Sequence, residues 1–289
     1  MTSENFFNRS VKQSWQVKYS NNGYPHVQNG LVIPPDQNEL FDPFLIMAED
    51  WFKRGTFSDH PHLGFQTVTY VVDGRLEHID NAGGHDVMEA GDVQYMNAGK
   101  GARHAEEPVA DDIVHSLQLW LNLPKHQKNT DPFYHNVYAE DAEVNRFNGG
   151  MMRVYSGTIN GTIGPMKSVV PFGMAEVVLK ENVEHEMEIP ANHNTFMYVL
   201  QGELEVGGNQ EKLHKGSVAL MDFQEEAADE SMSKIKLKAN HRSKFVIYTG
   251  KPMREEVVAR GPFITNTMEE MEQAFRDFQN GKFGAAVKS

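Results

Sequence analysis

The chain has 289 residues, 39% of them apolar, which is enough for one large or two mid-sized cored domains and too many for a disordered chain. Forty acidic against 27 basic residues give a formal charge of -13, which repels nucleic acid and anionic lipid. The absence of cysteine excludes disulfides, thiolate nucleophiles, zinc ribbons and iron–sulfur clusters, so a metal has to be held by His, Asp or Glu, and 13 histidines are available.

Glu4, Asn5 and Asn8 stand where a secretory signal would place its apolar run, and no later stretch of about 18 apolar residues occurs. A cytoplasmic protein with no membrane partner is expected, with the nucleus open to it in a eukaryote. The segment Gln66 to Val72 reads QTVTYVV, putting Val68, Tyr70 and Val72 on one face of a strand and Thr67, Thr69 and Val71 on the other. Asp73-Gly74 then signals a turn. Similar runs follow at Leu117 to Leu121, Met197 to Leu200, Val218 to Met221 and Phe245 to Tyr248, with glycine-containing turns between many of them. This is the pattern of a mainly β sandwich or barrel and not of βαβ units.

Tyr70-Val71-Val72-Asp73-Gly74 and Gly91-Asp92-Val93 recur as Tyr198-Val199-Leu200-Gln201-Gly202 and Gly216-Ser217-Val218, displaced by 128 and 125 residues. Two barrels in tandem are expected, with the break between Asp131 and Gly150, drawn as domains 1–135 and 136–289. Glu225, Glu226, Asp229 and Glu230 read as a solvated loop. Thr267-x-x-Glu270 is a capping box, after which Met268, Met271, Phe275 and Phe278 recur at helical spacing up to Gly281, a C-terminal cap. The expected helix docks by this stripe and is assigned to the second domain.

The strongest chemical signal is His60-Pro61-His62. Two residues apart on an extended strand, both imidazoles leave the same face, and Pro61 holds His60 extended. His104-Ala105-Glu106 has the same spacing, and a barrel pairing the two strands brings three nitrogens and one oxygen to one point. Gly74, Gly91-Asp92 and Gly99 to His104 lie between, in the order of the metal-binding motifs of cupins. Repeat offsets put Glu188 and Pro190 opposite His60 and His62, and Asp229 and Ser231 opposite His104 and Glu106, so the second half is expected to be metal-free. His185 and His193 are read as structural. His78, His85, His115, His126 and His135 are candidates for pocket polarity, with His115 the best placed, and a satisfied core or rim histidine is the favoured reading over that role.

Beyond these motifs, Asp42-Pro43-Phe44, Gly64-Phe65, Gln94-Tyr95-Met96, Leu117 to Pro124 and the tail Gly261-Pro262-Phe263 to Gly284 make the chain resemble the pirins, two-domain members of the cupin superfamily (bicupins). The resemblance implies a metal site of His60, His62, His104 and Glu106. Pirins usually carry Arg after His-Pro-His and Glu three residues further on, where this chain has Leu63 and Gln66, which bears on charge and hydrogen bonding beside the pocket.

Three imidazoles and a carboxylate suit one divalent ion, Fe(II), Mn(II), Co(II), Ni(II) or Cu(II), and admit Zn(II); six-coordination would leave two open positions. Iron is favoured, as the resemblance also implies. The resemblance further implies a quercetin 2,3-dioxygenase type of oxidoreductase, which opens a flavonol ring with O2, and Glu106 is the candidate catalytic base as well as a ligand. The alternative it implies is an iron-dependent redox-sensing transcription co-regulator acting through a protein partner, without direct nucleic-acid contact. A third reading is a cupin whose metal only stabilises its barrel. A monomer is expected.

Overall fold

The structure, a computed structural model, describes residues 6–21, 23 and 25–288; Glu4 and Asn5, used above against a signal segment, lie outside them. The chain is mainly β, as expected, and forms two compact units of cupin type. No helix among the described residues is long and apolar enough to cross a membrane.

One unit comprises Lys18–Glu140, Lys167–Val170 and the chain from Met253 onward. Its larger sheet runs Phe133–Val137, Val93–Asn97, Phe65–Asp73, Val114–Asn122, Phe44–Phe52, His26–Ile33, Tyr19–Ser20 in spatial order. Its smaller sheet runs Phe57–His62, Ala102–Pro108, Leu76–Asp80, His85–Met88. Phe65–Asp73 contains the alternating QTVTYVV segment, and residues 65–71 are buried without exception, so the strand is covered on both faces. It ends at Gly74, whose φ of +84° and close approach to the Ile113 carbonyl, 2.7 Å from where a Cβ would stand, leave room only for glycine.

The other unit comprises the chain up to Val17, Asp141–Met166 and Pro171–Pro252. Its seven-stranded sheet runs Glu143–Phe147, Gly150–Ser156, Phe172–Leu179, Ser243–Gly250, Asn194–Gln201, Ser217–Met221, Val11–Gln16. The repeat read from sequence is structural. Tyr70 pairs with Val93 and Tyr198 with Val218, and the amides of Gly91 and Gly216 donate to the carbonyls of Val71 and Val199, both at 2.8 Å. This unit is filled by aliphatic side chains, among them Val154, Val177, Met187, Met197, Leu204 and Ile247, all fully buried.

The contact-defined units differ from the expected domains in two ways. They part after Glu140 and not after residue 135, inside the expected Asp131 to Gly150 interval. Their ends are also exchanged. Val11–Gln16 pairs with Ser217–Met221 and so joins the second unit. The helix Met268–Gln279, expected in domain 136–289, packs Met271 and Ala274 with Phe263, Phe283, Leu63, Phe275 and Phe278 and so joins the first. Its capping box is formed as expected, with Thr267 Oγ1 accepting from the Glu270 amide at 3.2 Å and the Glu270 carboxylate accepting from the Thr267 amide at 3.1 Å. Met268 leaves the expected stripe: at the first helical position it is 55% exposed.

Candidate metal centre

His60 and His62 lie on Phe57–His62, and the antiparallel ladder sets His104 of Ala102–Pro108 directly across from His60. The ring centroids are 4.8 Å apart for His60 and His62, 4.4 Å for His60 and His104, and 4.9 Å for His62 and His104. One ligand nitrogen of each lies within 4.8 Å of the others. A bulge between His104 and Glu106 shifts the register, so that Glu106 stands across from Phe57. Arg103, across from Pro61, pairs with Asp59, the residue before His60, and the Val287 amide donates to the same carboxylate at 2.9 Å. These contacts pin the two ligand-bearing strands together.

The imidazoles are prepared for a cation. His60 Nδ1 donates to the Ser58 carbonyl at 2.8 Å, an acceptor only, which leaves Nε2 as the nitrogen to face an ion. His62 and His104 are almost wholly buried, and burial first, then neighbouring imidazoles, holds both rings well below the ordinary histidine range and therefore neutral. Both nitrogens of His62 and Nε2 of His104 have no hydrogen-bond partner. Each such buried group costs about 1–3 kcal/mol, and a divalent ion taking lone pairs from the three rings removes that cost. The residues present fit a metal.

Glu106 is also buried, and both its oxygens are engaged: Oε1 accepts from Thr69 Oγ1 at 3.0 Å and Oε2 from the Gln118 side-chain amide at 2.6 Å. It forms a second group of close ligand atoms with His104 and His78, its partner across the ladder. The structure thus gathers the three expected histidines in one cluster and places the expected carboxylate in an adjoining one that shares His104. The sequence offers His78 only as a core or rim histidine or a candidate for pocket polarity. Its Nδ1 lies 3.5 Å from His104 Nδ1 and its Nε2 3.4 Å from Asp80, whose other oxygen accepts from the Ala82 and Gly84 amides at 2.7 and 2.9 Å. The signal for it was the same period-two spacing, His78-Ile79-Asp80, on a short strand.

Trp120 stacks on Phe65 at 4.2 Å and stands edge-on to His62 at 5.6 Å, giving the site an aromatic wall. His115 is elsewhere: it bonds Glu49 at 2.8 Å and stacks on Trp51 at 4.1 Å. His85 pairs with Glu77 at 2.9 Å near the surface. Leu63 turns into the cluster beneath the terminal helix, and Gln66 is consumed by the Asn122 carbonyl, the Tyr95 hydroxyl and the Val170 amide. The two departures from the pirin pattern therefore make contacts away from the histidine cluster.

In the other unit Glu188, which the repeat puts opposite His60, stands across from Lys234 and pairs with it at 3.5 Å, and Asp229, opposite His104, accepts from Asn192 and pairs with Lys251. His185 stacks on Phe147 at 3.7 Å, and the His193 carbonyl accepts from Arg9.

The profile described as Pirin matches residues 35–121, and that described as Pirin C-terminal cupin domain matches residues 174–284. The chain is 34% identical to Pirin of Rattus norvegicus over 252 residues, 85% of this chain and 84% of the relative. Among solved structures, a Geobacillus kaustophilus protein superposes with a TM-score of 0.84 at 35% identity, covering 87% of this chain and all of its own. Quercetin 2,3-dioxygenase of Acinetobacter baumannii gives 0.83 at 27%, covering 96% and 99%. With the expected motifs in place and relatives of this extent and identity, the chain belongs to the pirin family.

Proposed function

We propose that the chain is a metal-dependent dioxygenase of the quercetin 2,3-dioxygenase type, acting on a flavonol-like aromatic substrate with O2. The observation that carries this reading is the cluster of three imidazoles, with unpartnered nitrogens on the buried His62 and His104, set beside a hydrogen-bonded carboxylate and an aromatic wall. It is supported by the similarity of nearly the whole chain to a quercetin 2,3-dioxygenase.

His60, His62 and His104 would hold the ion, with Glu106 as fourth ligand, kept in place by Gln118 and Thr69. The ion, Fe(II) in preference to Mn, Ni, Co, Cu or Zn, would supply Lewis acidity toward the substrate hydroxyl and O2. Trp120 offers a ring face to an aromatic substrate.

The test is elemental analysis of protein purified without added metal, followed by oxygen consumption with a flavonol panel. One equivalent of metal and flavonol-dependent uptake are expected, and His62→Ala should lose both. If no metal form consumes oxygen, while oxidising bound iron changes protease sensitivity or partner affinity, the redox-sensing regulator takes the place of the enzyme.

A further inference from the structure

The proposed reaction requires a hydroxyl proton to leave the substrate, and both Glu106 oxygens already accept hydrogen bonds, from Thr69 and Gln118, on a residue that would also hold the ion. We infer that the proton is taken by a pair of side chains, Asp50 and His26, on the face of the larger sheet from which Gln118 reaches Glu106; the inference rests on reading the metal centre as a site for an ionisable hydroxyl.

The placement follows from the sheet. On the paired strands Phe44–Phe52 and Val114–Asn122, Ala48 stands across from Gln118 and Asp50 across from Ser116. Asp50 is therefore one step of the pleat from Gln118, on the face that holds Glu106, and its carboxyl and that of Glu106 feel each other's charge. Glu49 leaves the other face, where it is bonded to His115 and to the Tyr19 hydroxyl, so the two neighbouring His–carboxylate pairs serve different sides of the sheet.

Asp50 is 5% exposed, and its Oδ1 lies 2.8 Å from His26 Nε2 in a hydrogen bond whose proton sits on either atom according to the tautomer. The His26 side chain is 24% exposed and lies edge-on to Phe57 at 5.7 Å, whose ring is 6.5 Å from that of His60. The pair thus runs from beside the metal cluster toward solvent. Burial raises the Asp50 carboxyl above the usual carboxylate range, with His26 opposing, which makes it a better proton acceptor than a solvated aspartate. In the step assigned to it, the substrate O–H bond breaks and its electron pair stays on the substrate oxygen. The proton bonds to an Asp50 oxygen and passes to His26 Nε2, which accepts it in the Nδ1–H tautomer of the ring, and the Nδ1 proton is released to water.

The test uses the full-length, iron-loaded chain and two probes. Anaerobic 4-nitrocatechol reports ionisation of a bound hydroxyl by its visible spectrum as pH is varied, and quercetin reports turnover. Asp50→Asn should keep its metal, raise the pH midpoint of probe ionisation by about one unit or more, and lower quercetin turnover by about a hundredfold. His26→Gln should cause a smaller loss that added imidazole restores. An unchanged midpoint in Asp50→Asn overturns the assignment, as does a midpoint moved only by Glu106→Gln. If Asp50→Asn does not fold, His26→Gln decides, and an unchanged midpoint there is equally fatal. If wild-type protein turns over no flavonol yet ionises the probe in an Asp50-dependent way, the pair stands and the flavonol reading falls.

Discussion

At the scale of single residues, the chain His104–His78–Asp80 decides how well the cluster is held. If His104 Nε2 faces an ion, its Nδ1 carries the proton and His78 Nδ1 must accept it, which leaves His78 Nε2–H for the Asp80 carboxylate. One tautomer of each ring satisfies the whole line. His78→Ala should therefore weaken metal binding by about 10–100-fold without abolishing it, whereas His78→Asn, which keeps an acceptor near the Nδ1 position, should retain most of the affinity. Competition with a chelator of known affinity measures both. Equal losses in the two variants would mean that His78 serves packing and not orientation. The ligand candidates were legible because period-two spacing places side chains on a common face. The orienting groups were not, since nothing in the sequence distinguishes Gln118 or Thr69, which hold Glu106, from ordinary strand residues. Even the alternation of Gln66 to Val72 defines two faces without saying which is inward, and it is the threonine face that carries Thr69 to the site.

At the scale of elements, the terminal helix is the clearest case of a local signal correctly read and a destination misread. Capping box, apolar spacing and terminal glycine all describe the helix itself, and the Asn280 and Gly281 amides close its end on the Arg276 and Phe278 carbonyls. Which unit receives it depends on Leu63, Phe263 and Phe283, residues far apart in sequence that spacing cannot connect. Leu63 directly follows His62, and its amide donates to the Pro262 carbonyl at 3.2 Å while its carbonyl accepts from Ile264 at 2.9 Å, so the docking segment backs the ligand strand. Burying side chains such as Met271 and Phe275 is worth roughly 1.5–3 kcal/mol each. Truncation after Pro262 should thus lower the melting temperature and also weaken metal binding, because the segment supporting His62 is lost with the helix. A truncated protein with unchanged melting temperature and metal content would show that neither support matters.

At the scale of the whole molecule, one fold is used twice with opposite interiors. The repeat fixes the shared strands and turns. In one unit the space between sheets is occupied by aliphatic side chains, whereas in the other it holds His62, His104, Glu106, Thr69 and Asp50. The aliphatic unit has its own internal tie in Arg9, fully buried, which donates to the carbonyls of Pro190, Ala191, His193 and Asp222 and to the hydroxyls of Thr195 and Ser233. Burial lowers its pKa to about 9, with Asp222 opposing, so it remains charged near neutral pH. On the proposed reading stabilisation has two sources, an ion at the histidine cluster and a guanidinium held by carbonyls, and removing them should loosen different strands. Chelation should raise amide hydrogen exchange in Phe57–His62 and Ala102–Pro108, since an ion at a hundred times its dissociation constant contributes about 2.7 kcal/mol to the state that binds it. Arg9→Ala, which leaves six acceptors without their donor, should raise exchange in Val183–Pro190 and Met232–Ala239 and leave metal stoichiometry at one. Loss of metal from the Arg9 variant, or equal loosening of all four strands by chelation, would refute this division of roles.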